Sequence, residues 1–125
     1  MKPAALMVFT VSYNGIRIRV RVLPTVRDVH REYTNSPLVT HQRIGKDKVV
    51  NGFTAPTDSP SAKHTATVVL AASGRLEEDI PHEVAHVVIH KRICVHRDDD
   101  EAAATAIGIL SARISRKIVR AGIAT

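Results

Sequence analysis

The stretch "DIPHEVAHVVIH", residues 79–90, decides how this chain is to be read. Folded as a helix, it puts His82 and His86 one turn apart on one face, close enough to chelate a single ion, with Glu83 beside them. The plainer reading leaves both histidines solvated on an exposed face and makes Glu83 a surface charge. Pro81 tests the helix. A proline inside a helix removes a hydrogen bond and clashes with the preceding turn. That conflict disappears if Asp79 is the N-cap, because Pro81 then falls in the first turn, where no donor is needed. Glu77, Glu78 and Asp79 suit the positive end of the helix dipole, so a helix is expected over about residues 80–93.

What flanks this helix indicates an α+β domain. Residues 5–11 and 16–23 surround "SYNG", whose Asn14-Gly15 is a two-residue hairpin signal. In the second run Ile16, Ile18, Val20 and Val22 alternate with Arg17, Arg19 and Arg21, which makes one face apolar and the other basic. Thr25 is placed to cap a short helix carrying Val26, Val29 and Tyr33, ended by Asn35-Ser36-Pro37. Residues 37–63 are polar, with three prolines and two glycines, and suggest a long loop framing a cleft, with a short strand near residues 49–54. "HTATVVLAAS", residues 64–73, reads as a strand bounded by Gly74. A last helix starts in the acidic run 98–101 and continues to about Arg120, with Ile107, Leu110, Ile114 and Ile118 as its apolar stripe. The expected fold is a short mixed sheet packed on the histidine helix and the C-terminal helix.

Composition sets the outer bounds. The 125 residues suit one domain, 1–125, and 44% apolar content excludes a disordered chain. Aromatic residues are 3% with no Trp, so Val, Ile, Leu and Ala must build the core. The single cysteine, Cys94, excludes an internal disulfide and a Cys-rich zinc site and fits a reducing compartment. "MKPAALMVFTV" has no small-residue cleavage site and runs on into the hairpin, so it reads as a strand rather than a signal peptide. No apolar run reaches the length of a membrane span. A cytoplasmic protein is expected.

Two histidines hold zinc weakly, and a catalytic site takes three protein ligands with one position open. One zinc ion per chain is expected, since imidazoles with a carboxylate suit that metal. Candidates for the third ligand are His90, His96, residues 98–100 and Glu101. His90 lies two turns from His82, too far for one straight helix to converge on one ion. The metzincin pattern fails, because Ile89 and Arg92 stand where it needs glycine and histidine. His96 lies in the inter-helix turn. Glu101 lies in the first turn of the last helix, followed at helical spacing by the small residues Ala104, Thr105, Gly108 and Ala112, which favour a close helix–helix approach. A competing role for Glu101 is structural, as the partner of Asp98 in a capping box.

"HEVAH" followed by "DDDEAAATAIGIL" resembles the minimal zincin metallopeptidases, with the gluzincin arrangement of H-E-x-x-H on one helix and glutamate on the next. It is similar to ImmA/IrrE-type domains and to small metallopeptidases of phages and prophages, in which a Glu-x-x-Ala-(Asn/Asp) element follows the histidine helix. Glu101-Ala102-Ala103-Ala104-Thr105 matches that element except that Thr105 replaces Asn or Asp. The resemblance covers about residues 65–118. It implies a small zincin-like domain, His82, His86 and Glu101 as zinc ligands, Glu83 as general base, and hydrolysis of a peptide bond in a cytoplasmic protein target. Thr105 keeps a hydroxyl with which to orient a ligand histidine. His96, His64 and Tyr33 are candidates to stabilise an oxyanion, and residues 64–73 to pair with an extended substrate.

A net charge of +6 and a pI near 10.0 leave room for a polyanionic partner. Arg17, Arg19 and Arg21 on one strand, and Arg113, Arg116, Lys117 and Arg120 on the last helix, are the basic faces that could meet nucleic acid. Their simpler reading is solvated surface. Binding and hydrolysis are compatible if the enzyme works near DNA, as ImmA/IrrE-type proteins do when they act on repressors. The alternative to an enzyme is an inactive zincin-fold protein that acts by binding, of the inhibitor or antirepressor type, which would need the fold but not the Glu83 carboxylate.

Overall fold

Asn14 and Gly15 both adopt positive φ, 49° and 84°, the turn whose twist matches the strands of a tight hairpin. In the computed structural model, which describes residues 4–35, 50–56, 63–90 and 99–123, this turn joins β1 (Met7–Tyr13) to β2 (Ile16–Leu23). Pairing runs antiparallel from Tyr13↔Ile16 to Met7↔Val22. Because the turn takes only two residues, β1 extends to Tyr13, two residues beyond its expected end. After β2 come α1 (Val26–Asn35), β3 (Gly52–Pro56), β4 (Ala66–Ala71), α2 (Leu76–His90) and α3 (Asp99–Arg120). The four strands form one sheet in the order β1-β2-β4-β3. β2 and β4 are parallel and β3 is antiparallel to β4, so the expected mixed sheet is present.

Each face of the sheet has its own core. Ile16, Ile18, Val20 and Val22 of β2 join Ala66, Val68 and Leu70 of β4 beneath the apolar faces of α2 and α3. On the other face Leu23, Val69, Ala71, Phe53 and Ala55 pack against Val29 and Tyr33 of α1. β4 is covered on both faces, which is why "VVLA" reads as a continuous apolar run while β2 alternates. Parallel β2 and β4 require a crossover, and α1 lies within it. Thr25 caps α1 as expected: its Oγ1 accepts from Asp28 N at 3.2 Å and donates to the Asp28 carboxylate at 2.9 Å. A further unpaired donor at this helix start, Val26 N, bonds Ser73 Oγ at 3.2 Å.

α3 is docked by its alternate apolar turns, Ala103, Ala106, Leu110, Ile114 and Ile118. Arg113 donates to the Ser12 carbonyl and lies over the Tyr13 ring, and Lys117 lies over Phe9, so these cations hold α3 to β1. The helix ends at Gly122, whose φ of 75° allows Gly122 N to bond Val119 O and Ile123 N to bond Ile118 O, a Schellman closure. No helix among the described residues is long and apolar enough to cross a membrane.

α2 starts one turn earlier than expected. Leu76 and Ile80 extend the buried stripe of Val84, Val87 and Val88, and Glu78 N and Asp79 N both bond the Arg75 carbonyl. Asp79 is therefore inside the helix rather than its cap, and Pro81 is an interior residue. Burying Leu76 against the sheet outweighs the bond that Pro81 denies to the Glu77 carbonyl. Pro81→Ala restores that donor. It is expected to raise the unfolding free energy by about 2 kcal/mol after the unfolded chain's gain in freedom is subtracted. Urea denaturation measures it, and an unchanged midpoint would show that this turn holds no lost hydrogen bond.

Candidate functional site

Successive residues of α2 face different surroundings, and this separates the members of "HEVAH". Val84, Val87 and Val88 point into the core. His82 and His86 stand on the exposed flank with their Nε2 atoms 3.2 Å apart and their rings edge to face. Glu83 turns inward under β3 and is 6% exposed, the only buried polar or charged side chain among the described residues.

Two residues of β3 make room for that carboxylate and hold it. Gly52 has no side chain, and a Cβ there would lie 3.6 Å from Glu83 Cγ and 3.2 Å from the Val69 carbonyl. Thr54 Oγ1 lies 2.9 Å from Glu83 Oε1 and 3.1 Å from the Glu83 carbonyl. The hydroxyl has a single proton, so it donates to one of these at a time. The other carboxylate oxygen, Oε2, lies 3.9 Å from His82 Nε2. Burial pushes the Glu83 carboxyl up. The Thr54 hydrogen bond, His82 and His86 oppose that shift, and Asp79 adds to it. Asp79, one turn earlier, is raised as well, by burial and then by the neighbouring Glu78. Its Oδ2 is buried with no hydrogen-bond partner among the described residues.

The histidine pair fits a metal. Two nitrogens bound at about 2.0–2.1 Å in a tetrahedral shell lie about 3.3 Å apart, close to the observed 3.2 Å. The same separation also suits one imidazole N–H donating to the other's lone pair. A third ligand is not assembled: among the described residues no group of three His, Cys, Asp or Glu is arranged to hold a metal. Glu101 is in the first turn of α3 and exposed. The small residues Ala104, Thr105, Gly108 and Ala112 are also exposed, and a Cβ on Gly108 would meet nothing within 4 Å. They are therefore not the surface by which α3 docks. That surface is the opposite one, because apolar burial there exceeds anything the small stripe offers. His96 and Asp98 lie outside the described residues, as do the side chains of His90, Asp99 and Asp100.

Other expected roles move. β4 is interior to the sheet, flanked by β2 and β3, so it has no free edge for a substrate. The edge beside α2 belongs to β3. Tyr33 packs edge to face on Phe53 in the core under α1, and His64 bonds Thr10 at 3.0 Å, so both are on the sheet face away from α2. Thr54 and Gly52 were not singled out from the sequence, since nothing local links them to Glu83 about thirty residues on. No protein-family model matches the chain, and no curated protein or solved structure matches it.

The Thr54 bond can be tested by stability. Thr54→Val keeps the shape and removes the donor, and is expected to cost about 1–3 kcal/mol near neutral pH. The hydroxyl lowers the Glu83 pKa, so it favours the ionised carboxylate. The cost should accordingly fade as pH falls and the carboxyl takes up its proton. In a Glu83→Met background the cost should largely disappear. An equal loss in both backgrounds would place the bond on the Glu83 carbonyl instead.

Proposed function

We propose that this chain is a zinc-dependent peptide-bond hydrolase with a small zincin-like domain of the gluzincin kind. The observation that carries the reading is the buried Glu83 carboxylate, fixed through one oxygen and presenting the other beside an exposed histidine pair. Burying a carboxylate is unfavourable unless it is well paired, and one hydroxyl is little compensation for a residue with only a structural role.

In this reading His82 and His86 hold one zinc ion, and the third ligand comes from Glu101 or from His96. Glu101 would have to approach from its exposed place at the start of α3. When bound, zinc supplies a Lewis acid that polarises the peptide carbonyl and acidifies water. Glu83 accepts a proton at Oε2 while Thr54 keeps Oε1 in place. Its upward-shifted pKa lets it retain that proton and pass it to the departing amine. The outer edge of β3, next to Glu83 and unpaired among the described residues, is suited to pair with an extended peptide, with main-chain hydrogen bonds giving affinity. Gly52 keeps that edge close to the carboxylate.

The test is a set of single substitutions examined for both zinc and cleavage. Wild-type protein should carry one zinc per chain and cleave members of a proteome-derived peptide library. His82→Ala and His86→Ala should lose the metal. Glu83→Gln should keep metal and fold while cleavage falls by about 10²–10⁴-fold. Comparing Glu101→Gln with His96→Ala identifies the third ligand by the larger fall in zinc affinity. Protein that takes up no zinc, or a Glu83→Gln variant that cleaves like wild type, would overturn the enzyme reading. Biological effect retained in Glu83→Gln but lost in His86→Ala would mean that the metal is structural and the protein acts by binding.

A further inference from the structure

Among the described residues the outer face of the sheet is covered only by α1, over one half. α1 packs over Leu23, Val69, Ala71 and Phe53, and its Glu32 takes Arg21 into an ion pair of 2.8 Å with both side chains largely buried. Beyond Arg21 no element among the described residues covers the face, and Arg17 and Arg19 are exposed. There Arg19 is flanked by Thr10 on β1 and Thr67 on β4, and Arg17 by Ser12. Thr65 ties the neighbouring chain to Arg17: Thr65 N bonds the Arg17 carbonyl at 2.7 Å, and Arg17 N bonds Thr65 Oγ1 at 3.1 Å. His64 therefore lies beside Thr10, to which it is hydrogen-bonded. Burial and then the charges of Arg17, Arg19 and Lys63 push its pKa down, which places four basic side chains in one field. Among the described residues none of the four has a carboxylate partner, whereas Arg21 at the border of the same face does.

We propose that this open half-face, formed by Arg17, Arg19, Lys63 and His64 with the hydroxyls of Thr10 and Thr67, binds the phosphate backbone of nucleic acid. Successive outward residues of β2 are about 6.5–7 Å apart, a spacing that lets Arg17 and Arg19 reach neighbouring phosphates of one strand. Hydroxyls beside them are the groups that add hydrogen bonds to phosphate oxygens. Among the described residues the patch has no Phe, Tyr or Trp, and its one imidazole, His64, is tied to Thr10, so contact is with the backbone and without sequence preference.

Two other classes of partner fit less well. A membrane surface would call for apolar residues beside the cations. The exposed apolar residues Leu6, just before β1, and Val8 on it are near the α1 end of the sheet, where Val8 is opposite Arg21, about 13 Å along the strand from Ser12. A protein partner would need an apolar centre to exclude water, and this half-face offers charges and hydroxyls. The basic residues of α3 contribute less than the sequence suggests, because Arg113 and Lys117 are engaged with β1. Arg116 and Arg120 remain exposed on the other side of the molecule. The half-face is also opposite α2, so a bound duplex would leave His82, Glu83 and His86 accessible. The proposal is therefore independent of the hydrolase reading.

Fluorescence anisotropy with a labelled DNA duplex of about 20 base pairs tests it in the full chain across a salt series. Wild type should bind with a log–log salt dependence that becomes shallower by about 2 in Arg17→Ala/Arg19→Ala, with affinity reduced at least tenfold. Arg116→Ala/Arg120→Ala should stay within about twofold, since one exposed pair on another face does not share the contact. Both double variants replace exposed side chains, and unchanged thermal unfolding verifies that they are folded. Absence of binding at low salt would overturn the proposal, as would equal losses in the two double variants. So would Arg17/Arg19-dependent binding to anionic phospholipid vesicles or polyglutamate at least as tight as to DNA.

Discussion

Glu83 is a carboxylate placed where the fold has otherwise put hydrocarbon. It follows the helical spacing of Ile80, Val84 and Val87 closely enough to be drawn under β3 when that face docks on the sheet. The cost of removing it from water constrains everything around it. At Gly52 a Cβ would crowd the Val69 carbonyl at 3.2 Å and touch Glu83 Cγ at 3.6 Å, and Thr54 supplies a hydroxyl to Glu83 Oε1. α2 must be held firmly by the full run from Leu76 to Val88, which accounts for its beginning a turn before Pro81. The histidines at the exposed flank acquire their 3.2 Å separation from the same rigid helix.

The two faces of the sheet divide the molecule's chemistry. The core between the sheet and the helices α2 and α3 is apolar except where Thr54 of β3 meets Glu83 of α2, and the candidate site is at the boundary between α2 and the edge strand β3. On the other face α1 packs over one half and satisfies Arg21 with Glu32, while Arg17 and Arg19, beside His64 and Lys63, have no carboxylate partner among the described residues. β2 serves both faces through its period of two: Ile16, Ile18, Val20 and Val22 belong to one and the arginines to the other. A shift of one residue in the β2–β4 register would bury the arginines, so the basic surface and the core are specified by the same pairing.

The parts of this arrangement that depend on local signals are legible in the sequence. Asn14-Gly15 gives the hairpin, the Ile/Arg alternation gives the buried face of β2, and Thr25 gives the start of α1. The spacing of His82 and His86 gives their proximity, because both are on one helix. Features set by tertiary packing were not legible. Pro81 points to a helix start at Asp79, but the gain from burying Leu76 lies in contacts with the distant sheet. On α3 the apolar stripe of Leu110, Ile114 and Ile118 is legible and is buried, but the small residues Ala104, Gly108 and Ala112 also have helical spacing, and only docking shows that they face outward. The Thr54–Glu83 contact joins β3 to α2 with β4 lying between them in the chain and leaves no periodic trace. The interior position of β4 likewise follows from a parallel pairing that no turn signal announces.

X-ray absorption at the zinc edge of zinc-loaded protein tests the central claim most directly, because it reads the ligands rather than their consequences. The account requires two imidazole nitrogens at about 2.0–2.1 Å with the remaining positions filled by oxygen or by one further imidazole, and loss of the two-imidazole signature in His86→Ala. Glu83→Gln should leave the spectrum unchanged, since in the proposed reading that carboxylate would act from beside the ion and not on it. A shell with no imidazole, or a spectrum indifferent to His86→Ala, would contradict the account.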